Sequence, residues 1–377
     1  MESQISRQAL HQRLDESAVN FLKSCLERVI SVSIKRGQPV NFQALKAFKR
    51  VCIWDSSGWQ LSPKLKETFK GHGGMGSAAG CKLQYCYEVK SSSILHCELT
   101  EATVPDQRYG KENIASLVKK GDLFLFDLGY FSFDILFQIL CQGAYFVSRL
   151  CFQQTFFIDD NKLNLISWLK KHKSENYIEA NILLGDRKLP VRLVAIRLPD
   201  KETQLRKCRI RKAAARKNRK PSKDQLYSAS WNVFVTNAPE EKLPTQQLYP
   251  VYRLRWSVEL IFKQFKSHLN IDSWNHANAN RLKCEVYATL LVSALLGFCQ
   301  NLLQQALWKK NQLECSLEKT VKFFSNNSHC LFQLAARTIS RPIAAISQLL
   351  TKALKYCIKS KQPSRLSSMS RIMVGLA

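Results

Sequence analysis

The stretch Asp122-Leu123-Phe124-Leu125-Phe126-Asp127 decides the fold class. Four large apolar side chains in a row, without polar alternation, read as a short strand buried on both faces of a sheet. Upstream, Val51–Trp54, Cys81–Val89 and Ile94–Leu99 also read as strands. The glycine-rich connection Gly71–Gly80 reads as a turn, because no Gly-Lys-Ser/Thr run follows to make a phosphate loop. A helical stretch around Asn113–Lys119 precedes the Asp122 strand, and a helix from Phe133 to Cys141 and a strand over Ala144–Ser148 follow it. Three strands, helix, strand, helix, strand predicts an α/β chain with a mixed sheet.

Working outward, residues 1–48 form a short helical N-terminal region, with Phe21, Leu22, Cys25, Val29 and Ile30 on one face. Residues 49–150 are the first part of the core. A β-rich insertion follows at 151–245, with strands over Tyr177–Leu184 and Leu189–Leu198 about a Gly185-Asp186 turn. It contains a tract, Arg206–Lys223, with ten basic residues and no acid. Residues 246–310 carry two long helices, Pro250–Leu269 and Leu282–Trp308, as the second part of the core. A basic helical C-terminal region, 311–377, closes the chain.

The chain has 377 residues, with 57 Lys and Arg against 29 Asp and Glu, for a formal net charge of +28. Hydrophobic residues reach 45%, which supports a sizeable core and excludes a disordered basic tail. The surplus charge therefore sits on a folded surface, where a polyanion such as nucleic acid is the expected partner. The longest apolar run, Val286 to Cys299, is shorter than the ~18 residues a membrane span needs. The polar N-terminus carries no signal region. The 13 cysteines lack a Cys-x-x-Cys pair and read as reduced core thiols. A cytoplasmic, nucleoid-associated protein without membrane or nucleotide cofactor is the expectation.

Two acids stand where chemistry could begin. Asp55 follows the strand Val51–Trp54 and Asp127 follows Leu123–Phe126, and carboxyl ends of strands face the crevice where α/β sheets bind ligands. Each is equally readable as a turn or capping residue. On one helix from Pro250, residues Tyr252, Arg255, Glu259 and Lys266 would fall within an arc of roughly 60°, away from the apolar stripe of Val251, Leu254, Val258, Ile261 and Phe265. The bland alternative is a solvated Arg255–Glu259 pair.

That spacing, Tyr252-x2-Arg255-x3-Glu259-x6-Lys266, resembles the Y-(2)-R-(3)-E-(6)-K signature of DDE transposases of the bacterial insertion-sequence family numbered four. Val51–Asp55 resembles the family's first catalytic motif and Phe124–Tyr130 its second. Tyr145–Arg149 resembles the following strand, and Val235–Asn237 the approach to the signature helix. The resemblance implies an RNase H-like mixed-sheet core in which Asp55, Asp127 and Glu259 are catalytic and hold two Mg²⁺ or Mn²⁺ ions. It implies cut-and-paste transposition: end nicking, hairpin formation in some members, and strand transfer. Tyr252, Arg255, Lys266, Lys263 and Arg149 become DNA-binding residues. Trp231, 21 residues before Tyr252, becomes either a stacking platform for a flipped base or a core tryptophan. The basic tract either follows DNA backbone or is a solvated helix.

The implied partners are double-stranded DNA, as terminal inverted repeats and target, and a second copy in a synaptic homodimer. Members of that family carry a longer helical region before the first motif than the 54 residues here. A truncated, catalytically silent chain that inhibits transposition by binding DNA is the competing expectation. A general RNase H-like nuclease is a third, though it has no use for Tyr252, Arg255 and Lys266.

Overall fold

The computed structural model describes residues 6–36, 45–74, 76–273, 277–311, 313–335 and 340–359. The basic end of the C-terminal region, 360–377, lies outside the described residues. In chain order come α1 (Arg7–Arg13), α2 (Glu16–Arg36), β1 (Val51–Gln60), β2 (Gly80–Glu88), β3 (Ser93–Glu101), α3 (Asp106–Leu117), β4 (Leu123–Phe126), α4 (Phe133–Cys141) and β5 (Tyr145–Arg149). Then follow β6 (Thr155–Ile158), β7 (Asn161–Asn164), α5 (Leu165–Lys171), β8 (Tyr177–Leu184), β9 (Leu189–Arg197), α6 (Asp200–Ala215), α7 (Lys223–Ser228) and β10 (Trp231–Thr236). The chain continues with α8 (Thr245–Tyr252), α9 (Trp256–Ser267), α10 (Ala279–Asn311), α11 (Leu317–Asn326), α12 (Ser328–Ala335) and α13 (Pro342–Tyr356).

These elements form two compact units, one from residues up to 43 with Cys52–Val104 and Trp256–Leu376, the other from Ala44–Val51 with Pro105–Arg255. In the first unit β1, β2 and β3 make an antiparallel meander, with Asp55 opposite Tyr85 and Leu83 opposite Leu99. Helices α2 and α10 pack on each other and on β3. By length and composition α10 is apolar enough to cross a membrane, over a longer stretch than the run Val286–Cys299. In this unit it is the central packing helix. Its C-terminal half shares a smaller core with α11 and α13, built on Leu303, Leu307, Phe323, Phe324, Leu349 and Cys357.

In the second unit the strand order is β4-β5-β10-β9-β8-β6-β7, with β4 and β5 parallel and every later pair antiparallel. All four residues of β4 are buried, as their unbroken apolar run requires. Helices α3 and α4 pack together, and α4 packs on β5. The compact division differs from the sequence boundaries at 150 and 245. Strand β10 is hydrogen-bonded to β5, with Phe234 opposite Arg149, so the insertion continues the sheet. The turn between β8 and β9 places Gly185 at φ +65°, with Phe133 so close that a Cβ would lie 2.4 Å from its ring. Only glycine meets both demands.

The start of β4 is pinned by a buried carboxylate. Asp122 is 0% exposed and accepts hydrogen bonds from Arg50 Nε at 2.9 Å and the Lys119 backbone N–H at 2.8 Å. Its own carbonyl accepts from Tyr145 N–H at 2.7 Å, and Leu123 N–H donates to the Arg50 carbonyl at 2.9 Å. Removing one partner of a buried pair leaves the other charge uncompensated. Asp122→Ala should therefore cost about 3 kcal/mol or more, read as a lower midpoint in urea unfolding; a change within ~0.5 kcal/mol would show the pair carries no such load.

Candidate active site

Strand β1 runs beyond the predicted Trp54 to Gln60, so Asp55 lies inside it. Val51 to Trp54 are fully buried, and burial relaxes at Asp55, where a charged side chain can be hydrated. The Asp55 carboxylate accepts the Ser56 N–H at 2.8 Å. Cross-strand partners share a sheet face, so Asp55 projects on the side of Tyr85. The Tyr85 ring packs edge-on against Phe262 at 5.7 Å and Phe265 at 5.6 Å. Helix α9 therefore covers the Asp55 face. Glu259 sits on α9 about one turn before Phe262. Lys266, two turns after Glu259, donates to the Gly58 carbonyl of β1 at 3.2 Å. Lys263 is exposed and stands near Glu318 of α11.

The second unit carries Asp127, Arg149, Tyr252 and Arg255. Asp127 is partly exposed at the carboxyl end of β4, where a short 3₁₀ turn over Leu128–Tyr130 begins. On the neighbouring parallel strand Phe126 pairs with Ser148, so Asp127 and Arg149 leave the same end of adjacent strands. Such strands are about 4.8 Å apart. Tyr252, 6% exposed, packs its ring on Phe234 of β10 at 4.9 Å. Arg255, Asp127 and Arg149 all act electrostatically on its hydroxyl. Arg255 is also buried, at 7% exposure.

The single helix expected from Pro250 to Leu269 is not formed. Tyr252 ends α8, a 3₁₀ turn spans Arg253–Arg255, and α9 starts at Trp256. A 3₁₀ turn winds at about 120° per residue instead of 100°, and by that winding the four signature residues still fall within an arc of roughly 40°, so the turn divides the helix without dispersing the stripe. Pro250, inside α8, lacks the N–H that a continuous helix would use. The break leaves Tyr252 and Arg255 in the second unit, Glu259 and Lys266 in the first.

Trp231 needs the larger correction. It is 1% exposed in β10, with the Arg197 guanidinium over its ring at 5.8 Å. The indole is enclosed by protein, which places it in the core of the sheet, the second of the two readings the sequence offered. The signal was present in the sequence, since Trp231 opens the largely apolar strand Trp231–Thr236. Sequence reasoning also missed Asn232, a polar residue buried in that strand that accepts a hydrogen bond from Arg206 at 2.8 Å.

Three carboxylates without thiolate or imidazole are a hard-oxygen donor set, which suits Mg²⁺ or Mn²⁺. In donor chemistry the proposed acids fit such an ion. Two of them belong to the first unit and one to the second, and among the described residues no group of three His, Cys, Asp or Glu is gathered at metal-binding distance.

Residues 46–295 match the family model described as transposase DDE domain. The chain belongs to this family. The transposase for insertion sequence element IS231F of Bacillus thuringiensis subsp. israelensis is 29% identical over 369 residues, covering 92% of this chain and 76% of the relative. That for IS231B of the subspecies berliner is 28% identical over 352 residues, covering 88% and 73%. The transposase for IS1151 of Clostridium perfringens is 24% identical over 382 residues, covering 95% and 80%. The mixed α/β architecture is that of an RNase H-like DDE transposase core, and DNA is the substrate class.

Tyr252 makes this DDE domain's site sensitive to alkali. Burial pushes its hydroxyl up to about 12 from 10.0; Arg255 and Arg149 oppose the rise and Asp127 adds to it. The phenol therefore stays a neutral donor at any ordinary pH. Between pH 10 and 12 the folded state keeps a proton that the unfolded state releases, so stability falls as pH rises through that window and is untouched below it. The slope is about 1.4 kcal/mol per pH unit. Tyr252→Phe should lose about 1 kcal/mol less than the native chain between pH ~10 and ~11 in urea melts, whereas equal losses would place the proton elsewhere.

Proposed function

We propose that this DDE-family protein is an insertion-sequence transposase that cuts element ends and joins them to target DNA, with Asp55, Asp127 and Glu259 as its catalytic carboxylates. The observation that carries the reading is the placement of an acid at the hydration boundary of β1, another at the end of β4, and a third on the helix that covers the Asp55 face. These three would hold two divalent cations, Mg²⁺ or Mn²⁺. When bound, such ions activate water or a 3′ hydroxyl and neutralise charge at the attacking and leaving oxygens.

The protein's own groups hold the DNA. Arg255 and Arg149 offer bidentate guanidinium contacts to phosphate beside Asp127, and Tyr252 contributes a neutral hydroxyl donor in the same place. Lys266, partly exposed over Gly58 of β1, supplies a point charge on the Asp55 side. Lys263 lies further out on the same helix and adds to the field around the strand. Synapsis of two ends calls for a homodimer, and the hairpin step is one route to releasing flanking DNA.

The test is a cleavage assay on a duplex carrying the element's own ends. Asp55→Asn, Asp127→Asn and Glu259→Gln should each remove metal-dependent nicking, a loss of roughly a thousandfold or more, while leaving duplex binding measurable. Nicking that survives any one of these changes excludes that carboxylate from the reaction. Chelation with EDTA should stop nicking, and Mn²⁺ should restore it.

A further inference from the structure

Arg206 is the first residue of the basic tract, and it is hydrogen-bonded to the sheet. Arg209, Arg211 and Lys212 are exposed on α6, whereas Arg206 is half-buried and turned towards β10. Its Nη2 donates to Asn232 Oδ1 at 2.8 Å and its Nη1 to the Trp231 carbonyl at 3.4 Å. Asn232 is 2% exposed, and its amide nitrogen finds no acceptor. The sheet therefore does not use this side chain; it serves to aim Arg206.

The strand geometry shows where Arg206 is aimed. Side chains two residues apart leave the same face of a strand, so Asn232 and Phe234 point the same way. Phe234 pairs with Arg149, which shares that face, and the rings of Tyr249 and Tyr252 pack on Phe234 at 6.0 and 4.9 Å. Arg206 thus joins Arg149 on the face that carries the Tyr252 hydroxyl, beside Arg255 and Asp127.

Such a grouping is electrostatically costly by itself. Burial, and then Arg149, hold the Arg206 guanidinium below its ordinary value; Arg209 acts in the same direction, against Tyr249 and Glu202. Arg255 and Arg149 both act on the Tyr252 hydroxyl, as does Asp127. An anion with several acceptor oxygens relieves this repulsion, and each DNA phosphodiester is one.

We propose that Arg206 is a phosphate-binding residue of the reacting centre, delivered by α6 of the insertion and aimed by Asn232, so that Arg206, Arg149 and Arg255 together hold a phosphodiester of the DNA strand next to Asp127. The proposal rests on the reading of Asp127 as catalytic. It separates Arg206, hydrogen-bonded to β10, from the exposed residues of the tract such as Arg209, Arg211 and Lys212.

The experiment uses the full chain, a fluorescein-labelled duplex carrying the element's own end, anisotropy titrations at several salt concentrations, and a nicking assay on the same duplex. Arg206→Gln should lower the slope of log affinity against log salt by about one, and slow nicking roughly ten- to hundredfold. Arg206→Lys should restore the slope while nicking stays slow, because an ammonium supplies charge without the bidentate fork. Native slope and nicking in Arg206→Gln would overturn the proposal. So would equal impairment of both variants with a matching drop in melting temperature, the mark of a packing role alone. If Asp127→Asn still nicks, the reading of the catalytic acid fails, while a slope deficit in Arg206→Gln still reports the phosphate site.

Discussion

The carboxylate of Asp122 is the constraint on which the second unit depends. It is wholly buried, and it meets the requirement that a buried charge be paired and hydrogen-bonded by taking Arg50 and the Lys119 N–H. Its carbonyl receives the first N–H of β5, so one residue fixes the start of two parallel strands. Four residues of β4 follow without interruption, and Asp127 emerges at their far end beside Arg149. A strand anchored at one end and buried over its full length has little freedom to slide, because a one-residue slip would turn its side chains over. The proposed acid at its end is thus held by an ion pair on the opposite side of the strand from the chemistry.

The first unit solves the same problem by aromatic packing. Asp55 shares a sheet face with Tyr85, and Tyr85 packs on Phe262 and Phe265 of the helix that bears Glu259. The lysine two turns further on is tied to the backbone of β1 at Gly58. One apolar contact between a strand and a helix therefore sets the relation of two proposed catalytic carboxylates. Both units place charged groups at the edge of dense cores, where hydration is still available to ions but side chains cannot wander.

Charge follows the same rule on a larger scale. The surplus of +28 first suggested a polyanionic partner and nothing more specific. In the structure the surplus separates into surface charge, such as Arg209, Arg211 and Lys212, and a few guanidiniums drawn inward. Arg50 and Arg192 are drawn in with carboxylate partners, Asp122 and Glu179, and serve the fold. Arg149, Arg206 and Arg255 gather on the side of Tyr252 and Asp127, an arrangement of guanidiniums suited to a phosphate.

The amino-acid sequence by itself determined the order of the elements from β1 to β5, the buried character of β4 and the family signature, and it singled out the three proposed acids. These are local properties: apolar runs, spacing and residue type survive without knowledge of what packs where. Tertiary structure alone decided the rest. The 3₁₀ turn at Arg253–Arg255 divides the signature between two helices, because a helix pattern in sequence carries no record of a small change in winding. Trp231 proves to be core and Asn232 an aiming residue, because both sit on a strand buried along its length by neighbours far away in the chain. Arg206 could not be told from nine other basic residues in its tract until the sheet showed which one turns inward. Burial depends on what the whole chain brings to a position, and residue type alone does not report it.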